Sequence, residues 1–423
     1  MTLEPLTAIR PPLPAEQAQP SGELQADYDL VIVGGGLAGL TLACALKDSG
    51  FRIALLEARP HSIAASKGQA YHISLMSSRI FQGIGVWDAM RPEINAIEQI
   101  RLSDQTYPGI VQFTLADLGV PALGYVAEHR VLLEELQRFL TTCSHVTYCC
   151  PAELVHADYQ ANGVELTVRQ PQATVQVKTK LLVAADGARS PIRQNVGIPT
   201  DGWQYWQSCV VAFIQPEKSH QNTAYERFWS DGPFAILPLP NNICRIVWTA
   251  PKAKAAVIAA LSDAEFLALL KQRYGDQMGE LSLVGDRYVF PVQLMQSRHY
   301  VQPHLALIGD AAHCCHPVGG QGINLGIRDA AALAQVLQTA QTKGEDIGSL
   351  QVLQRYERWR RPENFVILGF TDFLDRCFSN NIGLIVVLRR LGLRVMQAVQ
   401  PIKLLALRLM VGLLGQIPEL AKR

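Results

Sequence analysis

Gly309, Asp310, Pro317, Gly320, Gln321 and Gly322 fall within one stretch, LALIGDAAHCCHPVGGQGINLGIRD, running from Leu305 to Asp329. The apolar run Leu305 to Ile308 has the character of a buried strand. Gly309-Asp310 breaks it, a Gly- and Pro-rich loop follows, and a helical pattern starts at Ile323. A strand, a glycine-rich loop and a helix N-terminus in that order turn free backbone N–H groups toward an anion, which the helix dipole also favours. Asp310, at the strand end, is placed to accept hydrogen bonds from sugar hydroxyls. An ordinary βα turn is the plain alternative. It does not explain why so many glycines, each costly on folding, crowd into one loop.

A second stretch gives the same chemistry a longer reach. Tyr28 to Val33 reads as a strand, Gly34-Gly35-Gly36-Leu37-Ala38-Gly39 follows, and Leu40 to Leu46 reads as a helix. This is G-x-G-x-x-G with a strand before it and a helix after it. Gly34 permits the tight turn, Gly36 lets backbone approach a pyrophosphate, and Gly39 lets the helix pack on the strand. The next strand, Phe51 to Leu56, ends in Glu57, about 20 residues downstream, where an acid accepts from a ribose hydroxyl. Two nucleotide-type turns far apart in one chain point to one long dinucleotide spanning both.

These residues carry a resemblance. The Gly34–Gly39 fingerprint with Glu57 is one part of it. Ala185-Asp186-Gly187-Ala188-Arg189-Ser190 with Arg193 is another. Gly309-Asp310-Ala311-Ala312-His313, continuing through Pro317 and Gly320-Gln321-Gly322 to Asn324, is the third. Together they resemble the flavoprotein aromatic hydroxylases of the para-hydroxybenzoate hydroxylase fold. Tyr225-Glu226-Arg227-Phe228, Gly232-Pro233 and Leu237-Pro238-Leu239 narrow the resemblance to the ubiquinone-biosynthesis (UbiH-type) hydroxylases. It covers roughly Asp27 to Arg361.

The resemblance implies an α/β (α+β) fold. A Rossmann-like FAD-binding domain (27–200 and 286–345) would carry an inserted antiparallel-sheet substrate domain (201–285) and a helical C-terminal region (346–423). It implies FAD as cofactor, dioxygen as oxidant, and NAD(P)H or a separate reductase as electron donor. The reaction would be hydroxylation of a prenylated phenol or quinone precursor through a flavin C4a-hydroperoxide. Arg59, Arg130 and Asp186 are then expected near the cofactor's adenosine and phosphates, together with Gly309, Asp310, Gly322, Ile323 and Asn324. Backbone N–H groups from Gly320 through Gln321 and Gly322 to Ile323 would face the flavin's N1–C2=O edge, and Pro317 would border the ring. Where the subfamily commonly has Asp-x-Arg, this chain has Gln69-Ala70-Tyr71-His72, so no role is carried over there. A prenyl-chain reductase, another oxygenase of the same fold, or a lipid-binding scaffold like the GDP-dissociation inhibitors are the competing readings.

Composition bounds the rest. The chain has 423 residues, 48% hydrophobic and 18% charged, with a net charge of +1, so no global basic field exists to gather nucleic acid. Nine cysteines without CxxC spacing read as buried thiols rather than a disulfide framework or metal site. Arg189 and Arg193 are spaced to share a helix face. His313 and His316 read as hydrogen-bonded loop histidines before proton handlers; His72 and Tyr225 are weaker candidates. The aromatic stripe Trp203, Trp206, Trp229 and Trp248 reads as core before cage.

Both chain ends have their own character. Residues 1–26 are rich in Pro and Gln, the composition of a disordered tail with no signal peptide. Residues 381–423 carry Arg389, Arg390, Arg394, Lys403, Arg408, Lys422 and Arg423 against Glu419. That is a basic amphipathic tail, suited either to a membrane surface or to packing as helices on the core. The expected location is cytoplasmic, with peripheral membrane contact.

Overall fold

A computed structural model describes residues 24–60, 69–105 and 109–422. Most of the expected N-terminal tail (1–23) and most of the loop after Pro60 (61–68) lie outside these residues.

The strand Asp27–Val33 has Leu30, Val31 and Ile32 fully buried. Consecutive buried apolar residues mark a strand covered on both faces, as in a parallel sheet. Four more strands lie parallel with it, in the order Leu305–Leu307, Thr174–Ala184, Asp27–Val33, Ile53–Leu56, Val146–Cys149. The register pairs Val33 with both Ala184 and Leu56, and Ala184 with Leu307. The carboxyl ends of four neighbouring strands therefore stand side by side. They deliver Gly34, Glu57, Asp186 and Gly309 to one edge, where ligands of open α/β sheets bind.

Helix Leu37–Ala45 follows the first strand and helix Gly322–Thr342 follows the last. They sit close because small residues meet. A Cβ at Gly326 would lie 3.3 Å from Gly309 Cα and 3.5 Å from Ala38 Cβ.

The second sheet is wider than residues 201–285. Its order is His313–Cys314, Leu281–Ser297, Thr200–Pro216, Cys244–Pro251, Gly232–Pro238, Thr223–Trp229, Gln99–Asp104, Ile110–Thr114. The strand Gln99–Asp104 joins because it pairs in parallel with Thr223–Trp229, a long-range match that no local pattern encodes. One face packs on two helices, Lys252–Ala260 and Asp263–Tyr274, around Trp248, Phe234, Phe266 and Tyr274. The two helices are separated at Ser262, which opens the second in a capping box with Glu265. Trp248 is core, whereas Trp203 and Trp206 are exposed, so the tryptophans form no single stripe. A three-stranded sheet of Ala70–Ile73, Tyr125–Glu128 and Asn95–Ala96 bridges the two large sheets.

The C-terminal region is three helices: Leu350–Phe378, Gly383–Ala398 and Gln400–Met410. Of the two uses expected of the basic tail, packing on the core is served by three of its cations. Arg389 is buried and holds Asp104 through Nε at 3.1 Å and Nη2 at 2.9 Å, while Arg390 Nε reaches the same carboxylate at 3.0 Å. Lys403 Nζ lies 2.8 Å from Asp117. These three cations are thus tied to the rest of the fold, where burying Arg389 or Lys403 unpaired would be costly. The outward side is largely apolar, with Leu384 70% exposed, Val387 64% and Leu405 59%, and it also presents Arg394 and Arg408. Among the described residues no helix is long and apolar enough to cross a membrane.

Candidate active site

A cavity of about 1050 Å³ runs along the four strand ends. Gly34 has φ +113°, and a Cβ there would lie 2.2 Å from the Ala185 carbonyl oxygen, so the turn accepts only glycine. A Cβ at Gly39 would lie 2.0 Å from Gly34 O, which locks helix to turn. Gly36 differs, since no protein atom lies within 4 Å of its Cβ position. It faces the cavity at the N-terminus of helix Leu37–Ala45.

Glu57 Oε2 accepts the Gly35 N–H at 2.9 Å, and Oε1 accepts the Arg59 N–H at 2.9 Å with Arg59 Nε at 3.2 Å. The carboxylate clamps the glycine turn and keeps acceptor capacity on Oε2 for a hydroxyl. Asp186 also lines the cavity. Its Oδ2 accepts the Ile192 N–H at 3.4 Å, and its buried Oδ1 has no partner among the described residues. Burial pushes this carboxyl above its usual range. A glycine-floored groove, an acid at the second strand end and an orphaned buried acceptor together fit FAD. The volume is at the upper end of ligand pockets, roughly 300–1,000 Å³.

Gly34, Gly36, Glu57, Arg59, Asp186, Gly309, Asp310, Gly322 and Ile323 all line this cavity. A second cavity of about 620 Å³ adjoins it, sharing Tyr71, His129, Asp310, Gly322 and Ile323. Pro317 and Gly320 line the second cavity. The loop from Pro317 to Gly322 thus separates a groove for a dinucleotide from a chamber roofed by the second sheet.

Several expected site residues stand elsewhere. Arg130 lines neither cavity. Its guanidinium lies 3.2 Å from both Glu93 and Glu134, so its charge is already matched. Asn324 is spent on its own chain. Its Oδ1 accepts from Ser74 N at 2.8 Å and Ser77 Oγ at 2.7 Å, and its Nδ2 donates to His72 O at 2.8 Å and Gly320 O at 2.9 Å. An amide has no further capacity, so Asn324 braces the loop rather than touching a ligand. Gln321 turns to the C-terminal helices, donating to Met410 O at 3.0 Å and Gly319 O at 3.1 Å. Arg189 precedes the short helix Pro191–Asn195, so it shares no helix face with Arg193. Arg193 is buried and donates to Ala311 O at 2.7 Å and Ala188 O at 2.9 Å.

The loop histidines are engaged. His313 Nε2 lies 2.5 Å from Asp329 Oδ2. His316 lies 3.3 Å from Gln207 Oε1 and accepts the Val318 N–H at 3.2 Å, and burial holds it below its usual range.

The second cavity brings the weak candidate His72 together with residues to which the sequence reading gives no site role. Its walls are largely apolar, including Ile100, Leu102, Val211, Val247, Phe290 and Met410. Set into them are Glu226, Arg245, Tyr71 and His72. Burial holds the pKa of His72 at about 4, against the opposing effect of the Gly319 backbone. Arg245 Nη1 donates to Ala70 O, while its Nε is buried without a partner among the described residues. Burial pushes the Glu226 carboxyl up to about 8, against a hydrogen bond from the Gly319 backbone. One signal could have found Glu226: it alternates with Ala224 and Phe228 in a strand, which puts a carboxylate on an otherwise apolar face.

Comparison with known proteins follows this geometry. A family model described as FAD binding domain matches residues 27–366. The chain is 52% identical over 394 residues to the Synechocystis protein slr1300, covering 93% of this chain and 95% of that one. It is 37% identical over 409 residues to the ubiquinone hydroxylase UbiL of Rhodospirillum rubrum, covering 96% and 94%. The p-nitrophenol 4-monooxygenase of Pseudomonas putida superposes with a TM-score of 0.77 at 18% identity, over 92% of this chain and 99% of that one. That last likeness shows a shared fold.

Proposed function

This chain belongs to the FAD-binding family matched over residues 27–366, and from that membership we propose that it is an FAD-dependent monooxygenase. Its substrate is a prenylated phenol or quinone precursor, hydroxylated on the aromatic ring. The observation that carries this reading is the junction of the two cavities at Asp310, Gly322 and Ile323. It brings a dinucleotide groove against an apolar chamber of a size for an aromatic ring. The ubiquinone hydroxylase relative supports the substrate class.

Bound there, FAD supplies electron transfer to dioxygen and delivery of one oxygen atom. The chain supplies position and dryness. Gly36 and the N-terminus of helix Leu37–Ala45 would receive the pyrophosphate, and Glu57 would receive a ribose hydroxyl. Asp310 would hold the linking polyol, and the backbone N–H groups beginning at Gly322 would stabilise negative charge on the flavin. The second sheet and Met410 exclude water from the ring being hydroxylated. Electrons come from NAD(P)H or a separate reductase. The apolar outer side of the C-terminal helices rests on a membrane surface, beside the chamber wall that Met410 forms.

Purified protein should be yellow and retain FAD through gel filtration. Binding of a prenylated phenol should perturb the flavin spectrum at lower concentration than a soluble hydroxybenzoate does. Equal affinity for both would overturn the lipophilic substrate class, and reduction of the prenyl chain in turnover would overturn the monooxygenase.

A further inference from the structure

We infer that Glu226 is the catalytic base of the second cavity, accepting the proton of the substrate's phenolic hydroxyl. The inference rests on the monooxygenase reading above and deepens it.

The first ground is place. Glu226 sits in the strand Thr223–Trp229, and the register aligns Leu102, Glu226, Ala235, Val247 and Val211 in one row across the sheet. All five line the cavity, so Glu226 is the one charged member of an apolar row. Among the described lining residues only Glu226 and Asp310 are carboxylates. Asp310 also lines the dinucleotide groove, whereas Glu226 does not. The second ground is the loop opposite. Gly319 lines the same cavity as Glu226 and its backbone works against the effect of burial on the carboxyl, which puts Glu226 beside the loop that divides groove from chamber.

The charged and titratable groups that line the cavity with Glu226 come from five elements. Arg245, Cys209, Tyr225 and Cys314 lie on the second sheet, Tyr71 and His72 on the strand Ala70–Ile73, His129 at the start of the helix His129–Leu140, Arg189 in the turn after the strand Thr174–Ala184, and Asp310 and Cys315 on the loop. Burial raises the thiols Cys209 and Cys315 to about 11 and about 12, so they stay protonated near neutrality. His72 at about 4 is a weak base. Of the groups that release a proton near neutrality, Glu226 at about 8 stands closest to a phenol's pKa of about 10, and matched affinities favour transfer. Arg245, on the same sheet face, offsets the phenolate charge that results.

The step balances as a proton transfer. The phenol O–H bond breaks and the Glu226 carboxyl O–H forms, with no change of oxidation state. The phenolate ring is richer in electrons, so it receives an electrophilic oxygen more readily. As the product becomes aromatic again, the ring hydrogen leaves as a proton and Glu226 returns its own to the original oxygen.

The test compares wild type with Glu226→Gln and Glu226→Asp, all loaded with FAD, across about pH 6 to 9. Two readouts are taken: hydroxylated product in a single turnover, and the absorbance of the bound phenol, which distinguishes phenol from phenolate. Wild type should speed up with pH through about 8 and form phenolate over the same range. Glu226→Gln should keep FAD and bind the neutral phenol, lose about 10²–10⁴-fold in rate, and show no such rise. Glu226→Asp should recover part of both. If Glu226→Gln fails to fold, a wild type whose rate and phenolate signal are flat in pH still overturns the inference. A Gln variant matching wild type in rate and profile overturns this inference alone. A wild type that hydroxylates no phenol overturns the function reading as well.

Discussion

Asp329 holds Gly309. The fully buried carboxylate of Asp329, on the helix Gly322–Thr342, accepts the Gly309 N–H at 3.1 Å through Oδ2. Its other oxygen accepts Arg360 Nε at 2.8 Å and Asn364 Nδ2 at 3.0 Å. The turn that leaves the last parallel strand is thereby fixed to the long C-terminal helix. His313 and Arg360 hold this carboxyl well below its usual range.

Asp329→Ala removes the buried carboxylate shared by Arg360 and His313, leaving Arg360 with Glu363 as its remaining carboxylate. The expected cost is about 3–5 kcal/mol, read as a lower melting temperature, and the freed Gly309 turn should bind FAD more weakly. Unchanged melting with full flavin loading would show that the network carries neither load.

The glycines separate folding from cofactor binding. Gly34→Ala strains a backbone at φ +113° and drives a Cβ into the Ala185 carbonyl, at a cost of about 1–3 kcal/mol from the backbone alone. Gly36→Ala meets no protein atom within 4 Å, so the apoprotein should melt within about 1 kcal/mol of wild type. Its FAD affinity should nevertheless fall by tenfold or more, about 1.4 kcal/mol. Calorimetry on the apoprotein with flavin titration checks both, and tight FAD binding by Gly36→Ala would displace the pyrophosphate from this turn.

Glu226 makes stability depend on pH. Its carboxyl stays protonated in the fold up to about 8 but ionises in the unfolded chain above its ordinary 4.5. Between these values the unfolded state binds fewer protons, so stability falls as pH rises. Glu226→Gln removes that term. Its melting temperature relative to wild type should climb from about pH 5 to about pH 8 and then level off. A constant difference would mean that the carboxyl titrates normally in the fold.

The C-terminal helices divide into an anchored side and an apolar outer side. Asp104→Asn weakens the pairing of buried Arg389 and should destabilise the fold, toward the roughly 3–5 kcal/mol of a broken buried pair. Replacing Leu384, Leu388 and Leu405 together by Ser should leave melting within about 0.5 kcal/mol, because these side chains are exposed. The same triple variant should lose cosedimentation with phospholipid vesicles. Retained binding would place the lipid contact on another surface.

The parts of the site legible in the sequence were those fixed by local sterics. Gly34 and Gly309 stand where strand meets turn and Gly39 where the helix packs on that turn, and a missing side chain admits the neighbouring chain. What escaped was long-range pairing. Asn324 looked like a ligand residue because nothing near it in sequence shows that Ser74, 250 positions away, uses its oxygen. Arg389 counted toward a basic tail because its partner Asp104 lies 285 positions upstream. The strands Gln99–Asp104 and Ile110–Thr114 lie in the range expected for the FAD-binding domain yet join the second sheet through pairing of the same long range, and Glu226 stands in a motif whose alternation, read face by face, points it inward.

The central claim is that this chain transfers oxygen from dioxygen to an aromatic ring. The direct measurement is turnover of a prenylated phenol under isotopically labelled dioxygen, with mass analysis of the product. Label in a new ring hydroxyl is the result this account predicts. Consumption of reductant that yields only labelled hydrogen peroxide, or a product saturated in its prenyl chain and free of label, would contradict it.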